Sequence, residues 1–289
     1  MHYKGNVIRP PSEADSIILQ VTLGCSHNRC RFCLTYRGQS FRLKDQKVLD
    51  EDLAFAERYC QRQRRVFLAD GDVLSLPQAT LVNLLGQIRN RLPWVNRIAL
   101  YGNAKNIIRK SIADLTALKN LGLARVYMGV ESGDDQTLAE ICKGADSKIL
   151  LAAGQLVREA GLFLSTTVLL GIAGADRSLP HAMATGELIS AMQPNQVGVL
   201  TLMLLPGTPL YDDATEGRFS LPDQDQLLLE LATMVRYINL PRVQFQSNHA
   251  SNYLPINCRL PRDRNQVLAA IELARSGKIA LKPEHLRAL

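Results

Sequence analysis

Apolar residues along this chain alternate between two rhythms. Runs of strand length fall at residues 16–23, 65–68, 97–101, 125–130, 162–170 and 196–204. Between them, residues 46–62, 77–91, 111–121, 135–142 with 147–160, and 179–192 repeat their apolar positions at the helical period rather than in alternation. Strands that alternate with helices predict a parallel sheet with right-handed crossovers. The punctuation agrees: Ser111 with Asp114 reads as a helix N-terminal capping box, and Gly122 and Gly161 stand where helices must stop. The expected fold class is α/β, a partial (β/α)6 TIM-like barrel over residues 1–220. A C-terminal helical extension, 221–289, would pack on or cap the barrel, as two helices flanking an irregular stretch at 244–260.

With 289 residues, 46% of them hydrophobic, the chain can bury a core of barrel size, and a charged fraction of 21% argues against disorder. The net charge of +7 raises the question of a nucleic-acid partner. Lys and Arg mostly alternate with acids, however, and the tightest run, at 62–65, is short. This reads as a solvated basic face and argues against nucleic acid. Residues 1–11 lack a signal-peptide core, and no 18-residue apolar span follows, so a soluble cytoplasmic protein without membrane association is expected.

Three of the six cysteines fall in one short segment, Gly24-Cys25-Ser26-His27-Asn28-Arg29-Cys30-Arg31-Phe32-Cys33. A disulfide framework does not look like this. The segment follows the first predicted strand, at the strand end where β/α proteins keep their active sites. Three thiolates can hold three irons of a cubane whose usual requirement is four cysteines, leaving one iron open. Zinc is the competing occupant, yet structural zinc takes four ligands, and Cys60, Cys142 and Cys258 are isolated. A Cys3His site made by folding Cys60 or His249 against the loop is the alternative donor set.

The segment resembles the cluster motif of the radical S-adenosylmethionine (radical SAM) superfamily, C-x3-C-x2-C with an aromatic residue before the last cysteine, a place held here by Phe32. This chain carries the C-x4-C-x2-C variant, in an Elp3/MiaB/NifB-like core. The resemblance spans roughly residues 16–209. It implies a [4Fe-4S] cluster on Cys25, Cys30 and Cys33, with S-adenosylmethionine (SAM) chelating the open iron. Family members receive the amino group of SAM at a Gly-Gly-Glu-like turn after the second strand, where this chain reads Ala69-Asp70-Gly71-Asp72; a plain acidic turn would look the same. Met128-Gly129-Val130-Glu131-Ser132-Gly133 resembles the ribose- and methionine-contacting edge, with Glu131 and Ser132 as contacts, or else a surface cap for the next helix. The fifth strand, with Thr167 and Gly171, resembles the adenine-contacting element.

The implied activity is reductive cleavage of SAM to a 5′-deoxyadenosyl radical that abstracts hydrogen from a small-molecule or small-peptide substrate, the cofactors supplying the hard chemistry. An electron donor of the flavodoxin or ferredoxin type is the implied partner. The polar stretch 246–253 is the candidate substrate lining, with His249 as proton donor or acceptor and Tyr253 as stacking surface or hydrogen-atom relay. Its alternative is a loop capping the following helix. Cys258, Asn103 and Lys105 are lesser candidates. Two other classes compete: a non-catalytic iron–sulfur carrier or sensor, and a zinc-stabilised RNA-binding module.

Overall fold

The computed structural model describes residues 1–288. They form two compact units. The first holds Met1–Asn28, Thr35–Met128 and Gln155–Leu164, and the second holds Arg29–Leu34, Gly129–Gly154 and the chain from Ser165 onward.

In the first unit, β1 (Ile17–Gln20), β2 (Arg65–Ala69), β3 (Arg97–Tyr101) and β4 (Leu123–Glu131, in this unit through Met128) run parallel in that order. The helices α1 (Gln46–Tyr59), α2 (Gln78–Arg91), the one-turn α3 (Ala104–Ile107) and α4 (Ile112–Asn120) connect them. The capping box at Ser111 and Asp114 forms with both of its hydrogen bonds. Gly122 and Gly161 end their helices with positive φ, +102° and +71°, as expected of glycine past a helix C-terminus.

Strand alternation sorts the side chains of this sheet into two faces. Ile17, Leu19, Val66, Leu68, Ile98 and Leu100 are buried on one face, with Leu49 and Leu53 of α1 and Leu81, Leu85 and Ile88 of α2 also in the core. The other face carries Phe67, Ala69, Ala99, Tyr101 and Tyr127, with the Tyr101 ring edge-on to Phe67 at 5.1 Å. The N-terminal segment crosses this second face. The Tyr3 hydroxyl donates to the Ile18 carbonyl at 2.9 Å, Val7 packs on the aromatic cluster, and Ser12 meets the Tyr127 hydroxyl at 2.7 Å. Lys4 bonds the Gln20 side chain twice through its own backbone, its N–H to Oε1 and its carbonyl to Nε2, each at 2.9 Å.

In the second unit, β5 (Phe163–Leu170, in this unit from Ser165), β6 (Gln196–Thr201) and β7 (Val243–Gln246) run parallel, and β8 (Asn257–Leu260) is antiparallel to β7. The helices are α5 (Asp135–Glu140), α6 (Ser147–Glu159, in this unit through Gly154), α7 (Ser178–Met192), α8 (Pro209–Thr215), α9 (Gln224–Tyr237) and α10 (Arg264–Arg275), with α7 lying against α9.

Three strand expectations change. The stretch 244–260 is not irregular throughout, because β7 and β8 pair within it, Asn257 opposite Gln246. Four-residue strands, in which Val243 and Phe245 are buried and Gln244 and Gln246 are not, hold too few periods for alternation to stand out. The expected strand at 16–23 is broken: β1 stops at Gln20, and Thr22–Leu23 pairs antiparallel with Arg42–Leu43. The strand expected to reach residue 204 ends at Thr201.

Candidate active site

In the first unit, β2 delivers the turn Ala69-Asp70-Gly71-Asp72 against the start of the cysteine loop. A Cβ at Gly71 would lie 2.9 Å from the Tyr36 ring and 3.0 Å from Cys25 Cβ, so only glycine lets the turn come this close. Asp72 is fully buried and accepts hydrogen bonds from Ser26 Oγ at 2.5 Å, Asn106 Nδ2 at 2.6 Å and the Asn103 N–H at 3.1 Å. Ser26 follows Cys25 directly, so this carboxylate ties the turn to the loop. Asp70 accepts from Gln20 Nε2 at 2.7 Å and from the Tyr36 hydroxyl at 3.3 Å.

Burial raises the carboxyl pKa of both acids, against the pull of these donors. Tyr36 is raised as well, by burial first and by the Asp70 charge second, which keeps its hydroxyl a donor. The rest of this half-loop is fixed by glycine and asparagine geometry. Gly24 has φ +77°, and its Cβ would fall 3.1 Å from the Gln39 carbonyl; Asn28 Nδ2 donates to the Tyr36 carbonyl at 2.8 Å.

In the second unit, Cys30 and Cys33 flank a turn closed by the Cys33 N–H on the Cys30 carbonyl at 3.3 Å. Arg31 docks it: its N–H donates to the Ile141 carbonyl at 2.9 Å, its carbonyl accepts from Leu210 at 3.1 Å, and its guanidinium pairs with Asp213. Phe32 packs on Ile141, Leu169, Ile172, Leu202 and Leu210. The aromatic residue before the last cysteine is thus an apolar anchor.

None of the six cysteines is in a disulfide, and Cys25, Cys30 and Cys33 are partly exposed. Among the described residues no three His, Cys, Asp or Glu side chains converge on a single ion. Ligands of a cubane each take a different iron and need not converge. Cys25 beside a turn stripped of its Cβ in the first unit, and Cys30 and Cys33 on their own turn in the second, supply the thiol chemistry such a cluster takes.

Glu131 closes β4 with φ +65° and accepts from Lys143 Nζ at 2.9 Å. A Cβ on Gly129 would fall 2.2 Å from Glu131 Oε1, so the bare position makes room for the carboxylate. Ser132 begins a buried chain of polar groups. Its hydroxyl meets His181 Nδ1 at 2.8 Å, and His181 Nε2 lies 3.3 Å from Glu230 Oε1. Glu230 in turn accepts the Gly171 N–H at 2.9 Å and the Ser178 hydroxyl. Two strand ends singled out in the sequence, at Ser132 and Gly171, therefore share one internal support. Thr167 is half-buried on β5, opposite Gly198 of β6.

His249 and Tyr253 lie in the loop between β7 and β8. His249 Nδ1 is 2.9 Å from Ser251 Oγ, and burial, with the Lys282 charge second, lowers its pKa. The buried Tyr253 hydroxyl is held by Glu284 and Arg287, and the Arg287 guanidinium stacks 4.2 Å from its ring centroid. Arg287 also donates to the carbonyls of Ser251 and Leu202, so the C-terminal segment clamps this loop. Asn103 caps α3 through Lys105 N–H at 3.1 Å and presents its own N–H to Asp72. The Cys258 thiol is pushed up to about 11, by burial first and by Asp263 second. Sequence patterns gave no reason to single out Gln20, Ser26, Tyr36, Asn106, Lys143 or His181, and Glu230 was missed although it stands on the apolar stripe of its helix with Leu227 and Leu231.

Residues 19–183 match the radical SAM superfamily, and the chain belongs to it. Among curated proteins it is similar to the heme chaperone HemW of Bacillus subtilis (strain 168), 26% identical over 165 residues, which cover 56% of this chain and 43% of HemW. Among solved structures it resembles the radical SAM methyltransferase TsrM of Kitasatospora setae, with a TM-score of 0.56 and 19% identity over 69% of this chain and 39% of TsrM. It also resembles coproporphyrinogen III oxidase (HemN) of Escherichia coli, with a TM-score of 0.54 and 16% identity over 78% of this chain and 54% of HemN. The chain thus spans less than half the length of the curated relative. These likenesses establish the fold as an α/β partial barrel, and family membership makes the chain an enzyme of the radical SAM class with a [4Fe-4S] cluster and SAM as cofactors. No helix among the described residues is long and apolar enough to cross a membrane.

Proposed function

We propose that this chain cleaves SAM reductively and uses the product to take a hydrogen atom from a small-molecule or small-peptide substrate. The observation that carries the reading is the contact between turn and loop: Gly71 lies bare against Cys25 while Asp72 holds Ser26. A plain acidic turn needs neither feature. Cys25, Cys30 and Cys33 would hold the cluster, and the bound pair of cluster and SAM would supply a 5′-deoxyadenosyl radical.

The chain's own residues would bind and orient. Asp70, Gly71 and Asp72 form the turn that receives the amino group of SAM, and the absence of a Cβ at Gly71 permits close approach of its backbone. Glu131, paired with Lys143, can accept both ribose hydroxyls. Ser132, Thr167 and Gly171 would flank the adenosine, the first and last steadied by His181 and Glu230. His249, its pKa lowered by burial, suits a neutral proton acceptor at the substrate side. Tyr253, with its hydroxyl already engaged, suits the shaping of that loop rather than direct contact. The electron would come from a flavodoxin- or ferredoxin-type donor.

Anaerobic reconstitution tests the reading. The protein should bind four irons, absorb broadly near about 400 nm and cleave SAM under dithionite; Cys30→Ala should lose both cluster and cleavage, and Cys142→Ala neither. A cluster without cleavage would make the chain a carrier or sensor, and colourless protein with zinc would overturn the assignment altogether.

A further inference from the structure

Glu131 is a non-glycine residue with φ +65°, a conformation that persists at such residues only where the surroundings over-determine it. Its carboxylate is paired with Lys143 Nζ at 2.9 Å, in the room left by the bare Gly129. What fixes the backbone there is found in the next three residues, all held by one face of α7 and the residue before it.

The Ser132 hydroxyl lies 2.8 Å from His181 Nδ1. The Gly133 N–H donates to Thr185 Oγ1 at 2.8 Å, and its α-carbon comes so close to the helix that a Cβ would fall 2.4 Å from the Ala184 carbonyl oxygen. Asp134 takes Arg177 Nη2 on both carboxylate oxygens, each at 2.9 Å. Arg177, His181 and Thr185 are spaced four apart, so they form a single stripe that begins on the N-cap of α7. Ser132, His181 and Thr185 are fully buried.

Proton accounting orients these contacts. Ser132 Oγ accepts the Asp134 N–H at 3.0 Å, just as Thr185 Oγ1 accepts that of Gly133. Each hydroxyl therefore has its own proton to give, and His181 Nδ1 is within reach of both, at 2.8 and 3.4 Å. Nδ1 is thus the shared acceptor, which assigns the ring proton to Nε2, on the Glu230 side. The capping of α5 does not account for this arrangement. Asp134 is the N-cap of α5, and that cap is complete with the Thr137 N–H and hydroxyl at 3.0 and 2.6 Å. It asks nothing of His181 or Thr185, nor of a left-handed Glu131.

We propose that His181 and Thr185 are positioning residues for SAM. Acting through Ser132 and Gly133, they hold Glu131 in the left-handed conformation that presents its carboxylate to the ribose hydroxyls. The assignment rests on the reading of Glu131 as the ribose contact, and it gives Ser132 a supporting part, its hydroxyl being committed to α7.

Two measurements on the full chain test it. In the cluster-free protein, hydrogen exchange of the peptide spanning residues 131–135 reads the turn directly. His181→Leu, which fills the space without an acceptor, should speed exchange there by about tenfold or more, while His181→Asn, whose Oδ1 replaces Nδ1, should stay close to the parent. After reconstitution, equilibrium dialysis against radiolabelled SAM should show binding about tenfold weaker in His181→Leu and in Thr185→Val, which keeps the shape and removes the hydroxyl, with recovery in His181→Asn. In a Glu131→Ala background, His181→Leu should add little further loss, because its effect passes through Glu131. Independent, additive losses overturn the proposal, as does parent-like exchange and SAM affinity in the folded variants. If His181→Leu does not fold, Thr185→Val decides alone. SAM binding that survives Glu131→Ala undiminished would remove the ribose contact and the proposal with it. Failure of the reconstituted parent to retain SAM at all would instead count against the proposed function, with faster exchange in His181→Leu still upholding the hold of α7 on the turn.

Discussion

Ser132 Oγ lies 2.8 Å from His181 Nδ1, and neither side chain reaches solvent. The contact joins the end of β4 to α7, and Glu230 of α9 completes it by accepting the Gly171 N–H beyond the end of β5. His181 Nε2 is 3.3 Å from Glu230 Oε1, yet it lacks hydrogen-bond geometry. The firm bonds of Glu230 are therefore those to Gly171 and Ser178. Glu230→Leu should strand two buried donors and destabilise the protein by about 3 kcal/mol or more, measured by chemical denaturation. Glu230→Gln, which keeps an acceptor for Gly171, should recover part of the loss. Equal cost in the two variants would contradict this account.

Asp70 gives a pH prediction with a definite sign. Burial raises its folded pKa above the unfolded value of about 4, so the folded state holds its proton more tightly than the unfolded chain. The carboxylate thus costs nothing below that pH and lowers stability as pH climbs through the raised folded value. Asp70→Asn keeps one acceptor oxygen, enough for Gln20, turns its Nδ2 donor toward the Tyr36 oxygen and removes the charge. It should match the parent near pH 4 and exceed it at pH 7 in denaturation midpoint, while binding SAM less well by calorimetry. An advantage that grows toward acid would refute the assignment.

Gly71→Ala probes the approach of turn to loop. The new methyl would meet the Tyr36 ring and the Cys25 Cβ and Cα at 2.9–3.1 Å, of which the Cys25 Cα is main chain and Tyr36 is buried, so loop or ring must shift. A stability loss of about 1–3 kcal/mol is expected, with less iron per chain after reconstitution. Parent-like iron content would show that Cys25 does not depend on this contact.

Cys258 should behave as a spectator. With its thiol raised to about 11, alkylation by iodoacetamide at pH 8 should be slow and should quicken with a midpoint near that value, whereas the exposed Cys142 reacts early. Mass spectrometry of timed digests reads both. Rapid modification of Cys258 at pH 8 would restore it as a functional candidate.

The sequence and the structure agree best where one local rule decides the outcome. The alternation of apolar runs and helical periods placed the strands from β2 to β6, and Ser111, Asp114, Gly122 and Gly161 marked their helix ends because capping is a matter of a few adjacent residues. The C-x4-C-x2-C spacing marked the loop for the same reason. What stayed hidden depends on contacts distant in the chain. Glu230 does carry a signal, a charge on the same helical stripe as Leu227 and Leu231, but its partners Gly171, Ser178 and His181 come from elsewhere in the sequence. Asp72 was legible as an acid at a strand end, though its use as an anchor for Ser26 and Asn106 was not. Tyr253 looked available because Glu284 and Arg287, which occupy it, lie more than thirty positions downstream.

The first residues of the chain bear on handling as well as on architecture. Lys4 engages Gln20 through backbone atoms alone, and Gln20 is the residue that restrains Asp70. Since main-chain pairing ignores side-chain identity, changes at position 4 other than to proline would be tolerated, while any displacement of the peptide around it would loosen Asp70, two hydrogen-bonded contacts away. An affinity tag fused ahead of Met1 is therefore no neutral choice, and preparations tagged at opposite ends should be compared before a weak SAM affinity is taken as intrinsic.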